Sequence, residues 1–149
     1  MLRERSSLTL SLFMALASLS CGALSTMQQI QVATFEEMRD VERYQIKIAE
    51  KHFLNANYNV ALAEYEKFLT LYEESPGAPY AQLMWSHTMM KLKKPKSALR
   101  DGFQSVIDYW PKSHEATLAA YCMGDSFRTM GEVKSAQKAF RFLIREYPD

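Results

Sequence analysis

The residues able to carry acid–base, nucleophilic or metal chemistry in this chain are His52, His87 and His114, Cys21 and Cys122, and the carboxylates Asp101, Asp108, Glu115 and Asp125. A helical zinc site needs imidazoles one turn apart, as in H-E-x-x-H, and no two of these histidines lie at i, i+4. The cysteines stand 101 positions apart and form neither a disulfide framework nor a ligand set. The carboxylates are scattered, not paired for proton transfer. No G-x-S-x-G, phosphate loop or dinucleotide glycine pattern occurs. The expectation is therefore no enzyme, no metal and no cofactor. His52 and His87 are expected to be partly buried, hydrogen-bonded helix residues, and His114, after Ser113 at a helix start, to be solvated. Cys122 lies in the apolar run TLAAYCMG with nothing basic beside it, which predicts an inert buried thiol.

Charge narrows the partners. The 149 residues carry 18 Lys+Arg and 17 Asp+Glu, and the part after residue 25 holds 16 of each. A nucleic-acid binder needs a concentrated basic surface, so nucleic acid is not expected as a partner. Lys91-Leu92-Lys93-Lys94-Pro95-Lys96 is the one basic run and reads as a solvated turn between helices.

The first 25 residues read as an address. Arg3 and Arg5 precede the uncharged stretch LTLSLFMALASL at residues 8–19, followed by small residues from Ser20 to Ser25. That is the order of a secretory signal peptide, and twelve apolar residues fall short of the roughly 20 that a membrane span needs. Two processing routes stay open. Cleavage after Ala23-x-Ser25 would leave Thr26 first, whereas Leu19-Ser20-Cys21-Gly22 resembles a lipobox and would make Cys21 the lipid anchor. Acyl chains on Cys21 would hold the protein at a membrane, each buried CH₂ contributing about 0.8 kcal/mol. Residues 26–33 read as a linker.

The remainder, residues 34–149, repeats itself. Ala61, Ala98 and Ala136 are spaced 37 and 38 apart. Twelve residues before each stands a small residue (Ala49, Ser86, Gly124), preceded by a large apolar one (Ile48, Trp85, Met123). Eleven after each stands a tyrosine (Tyr72, Tyr109, Tyr147). Each unit, at about 35–74, 79–110 and 113–147, reads as a helical hairpin. Thr34 with Glu37 fits a capping box for a helix from Phe35 to Leu54. A second helix is expected from Tyr58 to Glu74, a third from Tyr80 to Leu92, and a fourth ending near Trp110. Ser113 should cap the fifth, Gly131 should close it, and the sixth should span Val133 to Tyr147. No segment alternates with period two, so strands are not expected. The small residues would let paired helices approach, and stacking would hide what a lone hairpin exposes.

A large apolar residue followed by a small one, then Ala, an aromatic (Tyr65, Phe140) and Pro (Pro148), resembles the tetratricopeptide repeat. Gly102 departs from the aromatic position, and Pro111 comes one residue late. The Tyr-x-x-Ser-Pro and Tyr-Trp-Pro-x-Ser connectors are similar to those of the outer-membrane assembly lipoprotein BamD subgroup. The resemblance implies an all-α, right-handed superhelical solenoid of three hairpins, and a non-catalytic scaffold in the periplasm or on the periplasmic face of the outer membrane. It implies a concave face that takes a protein or peptide through Arg43, Ile46, Glu50 and Phe53, then Tyr80, Leu83, His87 and Met90, then Leu118, Tyr121, Asp125 and Arg128. A periplasmic Tol-Pal or cell-wall coordinator, and an accessory segment of an envelope enzyme or secretion machine, are the alternative readings.

Repeat arrays end in a polar cap, yet the sixth helix carries Phe140, Leu143 and Ile144. A partner, or further repeats in a longer chain, is expected to cover it.

Overall fold

The computed structural model describes residues 29–148. Helix makes up 78% of them, and no strand occurs among them. Seven helices occur in the order α1 (Val32–Glu37), α2 (Asp40–Leu54), α3 (Tyr58–Leu71), α4 (Ala78–Lys91), α5 (95–109), α6 (His114–Thr129) and α7 (Val133–Glu146). From α2 onward each helix packs on the next, and α4 also touches α6. Connections between these packed helices run from three to six residues, so each must reverse direction to lie beside its predecessor.

Three of those reversals are built alike. Ala56 (φ 59°), Lys93 (φ 61°) and Gly131 (φ 78°) take left-handed backbone, each five residues before a repeat alanine. In each, the next residue's N–H returns to the helix: Asn57 to the His52 carbonyl (2.9 Å), Lys94 to Met89 (3.0 Å) and Glu132 to Phe127 (2.9 Å). This six-to-one bond satisfies a helix-end carbonyl that would otherwise be orphaned. Only Gly131 has the residue type that the conformation favours. Ser113 caps α6 as expected, its Oγ accepting from Ala116 N at 3.1 Å.

The small residues lie at close crossings. Ala61 and Ala98 are fully buried and Ala136 is 5% exposed. A Cβ on Gly124 would come within 2.6 Å of Phe140 Cε1, so the missing side chain is filled by the ring. One unit earlier the volumes are exchanged. Ser86 stands on α4, and a Cβ on Gly102 of α5 would meet Ser86 Cβ at 2.8 Å.

Helix α5 winds as a π-helix over Ala98–Phe103, between Pro95–Ser97 and Gln104–Tyr109. Such a turn takes up one extra residue and rotates the remainder of the helix about its axis. The sequence carries that extra residue. From the repeat alanine to the helix end is ten residues in α3 and α7 but eleven in α5. The insertion accounts for the spacing of 38 instead of 37, for Gly102 in the aromatic position with buried Phe103 one step later, and for the late Pro111. It also corrects one equivalence. Half-buried Trp110, not Tyr109 (74% exposed), takes the place of Tyr72 and Tyr147.

The expected first helix is two. Met38 has extended backbone (φ −71°, ψ 147°) and separates α1 from α2. Its side chain, 2% exposed, drops against Gly77 and Phe68 at the α3–α4 connection, which a continuous helix would forbid. The new start at Arg39 is held by Glu42, which accepts from Arg39 N (2.8 Å) and Nε (2.7 Å). The Thr34–Glu37 box does not form, because α1 already starts at Val32. Val32 and Ala33, expected in the linker, are helical.

Candidate protein-interaction face

The first helices of the three units, α2, α4 and α6, lie side by side, and two polar contacts fix the row. The Tyr80 hydroxyl on α4 donates to Glu50 Oε1 on α2 at 2.6 Å. His87 Nε2 on α4 lies 4.0 Å from Cys122 Sγ on α6. Burial, with Glu50 nearby, raises the Tyr80 pKa, so its hydroxyl stays protonated and able to donate. Burial, then Lys91, lowers the His87 pKa to about 4, leaving a neutral ring edge-on to Phe103 at 5.2 Å.

The residues expected to meet a partner divide by depth. Ile46 and Leu83 are fully buried, and Tyr80, His87 and Phe53 are 2%, 2% and 5% exposed. These five are packing residues, not surface anchors: Ile46, Phe53 and Tyr80 belong to one buried apolar cluster and Leu83 to a second, and the His87 ring packs on Phe103. Arg43, Glu50, Met90 and Leu118 are half-buried, and Tyr121 and Arg128 are exposed. Asp125 is buried, with Arg128 Nε donating to its Oδ1 at 3.0 Å. The accessible members of the row are thus Arg43 and Glu50 on α2, Met90 on α4, and Leu118, Tyr121 and Arg128 on α6, with Leu118 and Tyr121 also bordering a depression of about 340 Å³ between α6 and α7. Cys21 lies outside the described residues.

One occupant went unforeseen. The segment leading into α1 folds back on the first third of this face, with Ile30 and Phe35 packed against the core. The Phe35 ring lies 5.0 Å from Lys47 Nζ and 5.8 Å from the Arg43 guanidinium, both cation–π contacts. Ile30, Phe35, Lys47, Phe53, Tyr80 and Met84 help line a cavity of about 290 Å³ between this segment and the face. The signal in the sequence was the apolar set Ile30, Val32 and Phe35 within residues assigned mainly to a linker.

Among the described residues no group of three or more His, Cys, Asp or Glu side chains is placed to hold a metal. No helix among them is long and apolar enough to cross a membrane. No family model, curated protein or solved structure matches the chain.

Proposed function

We propose that the chain is a non-catalytic docking scaffold of the bacterial cell envelope, a tetratricopeptide-type solenoid that binds a protein or peptide along the α2–α4–α6 row. The observation that carries this reading is the row itself. Three equivalent helices, tied by Tyr80–Glu50 and abutting at His87–Cys122, present Met90, Leu118 and Tyr121 between charged ends. Aromatic and methionine anchors flanked by charges suit an extended or helical peptide. The recurrence of positive-φ turns five residues before Ala61, Ala98 and Ala136 supports the repeat reading.

The finer reading is a BamD-like subunit that assists outer-membrane protein assembly, exported by residues 1–25 and held through a lipid on Cys21. Its support is the connector sequence and the lipobox-like Leu19-Ser20-Cys21-Gly22.

The test places a photo-crosslinking amino acid at Leu118 on α6 and, separately, at exposed Lys67 on α3, in cells expressing the full chain. An adduct with one defined protein from Leu118, absent from Lys67 and lost with Arg128→Gln, supports the scaffold. Identical adducts from both positions, or none, overturn it. Palmitate incorporation that disappears in Cys21→Ser tests the anchor, and a barrel precursor as the adduct tests the assembly role.

A further inference from the structure

Two grooves of the same build run between the second helices of neighbouring hairpins, one between α3 and α5 across α4, the other between α5 and α7 across α6. In the first, α4 sends two side chains across. The Trp85 indole N–H donates to Glu66 Oε1 on α3 at 3.0 Å, and the Gln82 amide donates to the Asp101 carbonyl on α5 at 3.1 Å. At the same repeat positions α6 carries Met123 and Ala120, which have no donor to make either bond. The second groove is open there, a cavity of about 430 Å³ floored by Ala120 and Met123 and walled by Phe127 and Phe142. Gln104, at the position of Glu66 once the π-turn residue is allowed for, also lines it. Its Nε2 donates to Asp108 Oδ1 at 2.8 Å, which leaves its Oε1 as an acceptor. Exposed Lys138 borders the cavity, with Lys134 and Arg141 one turn to either side.

We propose that this cavity binds a small planar aromatic acid of the indole class. The ring follows from the repeat itself. Trp85 supplies an indole from within the chain in the first groove; Met123 leaves that space open in the second, while Gln104 keeps an acceptor at the position that receives the N–H. Phe127 and Phe142 offer aromatic contacts, and the Met123 sulfur suits a ring beside it. The acid follows from charge, since Lys138 borders the opening and Asp108 is already tied to Gln104. Pockets of roughly 300–1,000 Å³, apolar with a few placed polar groups, suit ligands of this kind. The walls are α5, α6 and α7 themselves. A further hairpin stacked in the same register would cover Tyr121 and Ile144, at the positions of buried Leu83 and Ile107, and leave this groove as it is.

The probe is indole acetate, titrated into the full chain by calorimetry. Its N-methyl derivative, which lacks the donor, and decanoate, an acid with a flexible apolar tail, serve as comparators. Indole acetate is expected to bind, and each comparator to bind at least about fivefold more weakly. Met123→Trp should abolish binding by filling the cavity from within, and Lys138→Glu should weaken it on the order of tenfold. The first groove already accommodates tryptophan at the position of Met123, and Lys138 is exposed, so both variants keep the wild-type circular dichroism. Arg128→Gln, on the α2–α4–α6 row, should leave binding unchanged, which separates this site from the scaffold face. No binding of indole acetate, equal or tighter binding of either comparator, or unchanged affinity in Met123→Trp or Lys138→Glu would overturn the proposal.

Discussion

Gly124 and the ring of Phe140 claim the same space: a Cβ on one would lie 2.6 Å from Cε1 of the other. Two effects of opposite sign meet in Gly124→Ala. Helix propensity favours alanine by about 1 kcal/mol, while overpacking costs about 1–3 kcal/mol. The expected net effect is a loss of about 1 kcal/mol in urea unfolding. In a Phe140→Leu background the clash is relieved and the same change becomes stabilising. A double-mutant cycle with no coupling would show that ring and glycine do not compete.

The three equivalent turns give an unequal set of residues for one backbone shape. Ala56 and Lys93 hold positive φ with a Cβ present, which is unfavourable by roughly 1 kcal/mol. Ala56→Gly and Lys93→Gly are each expected to raise stability by about 0.5–1 kcal/mol despite the added freedom of the unfolded chain. Gly131→Ala should lower it by a similar amount. Nothing lies within 4 Å of a Cβ at Gly131, so backbone strain alone is read out. Thermal midpoints that move the other way would contradict this.

The π-turn makes α5 the helix that can lose a residue. Deleting Gly102 should return Ala98–Phe103 to α-helix and bring Phe103 into the position that Tyr65 and Phe140 hold. The expected cost is under about 2 kcal/mol, set by fitting Phe103 against Ser86. Deleting Ala63 from regular α3 would rotate Tyr65 and Phe68, both fully buried, out of the core. That should unfold the first hairpin, losing well over about 3 kcal/mol. Comparable losses from the two deletions would refute the insertion account.

His87 gives acid sensitivity of a defined sign. Its folded pKa of about 4 lies below the ordinary 6.5 because the ring is buried, with Lys91 adding to the effect. Between those values the unfolded chain binds a proton that the folded chain does not. Stability is therefore flat in this group above pH 6.5 and falls as pH drops toward 4, by up to about 1.4 kcal/mol per unit. Glu42 acts lower. Burial alone would raise its pKa, but the Arg39 backbone and side-chain hydrogen bonds outweigh that and depress it, so its contribution fades only below about 4.5. Urea midpoints measured from pH 8 to 4.5 should fall for the wild type and stay nearly level for His87→Phe. Parallel curves would assign the slope to other groups.

Much of the helix plan was legible because local chemistry marks it. Ser113, Gly131 and the apolar spacing place α6 and α7 to within a residue or two. The split at Met38 was not legible, since its cause is the distant Gly77–Phe68 contact and not any local breaker. Tyr109 misled for a related reason. A π-turn shifts phase without changing residue types, so only the buried neighbours reveal that Trp110 is the true equivalent. At the candidate face, register could tell that Ile46, Leu83 and Tyr121 are equivalent. It could not tell which of them a following hairpin would cover.

Phe35, lodged on Lys47 and Arg43, bears on any ligand long enough to span all three helices. Such a ligand must first evict the chain's own leading segment, so its measured dissociation constant scales with the fraction of time that segment is lifted. A segment seated about 99% of the time would weaken apparent affinity about a hundredfold. Clipping the chain before Met38 would restore that factor without altering a single contact to the ligand.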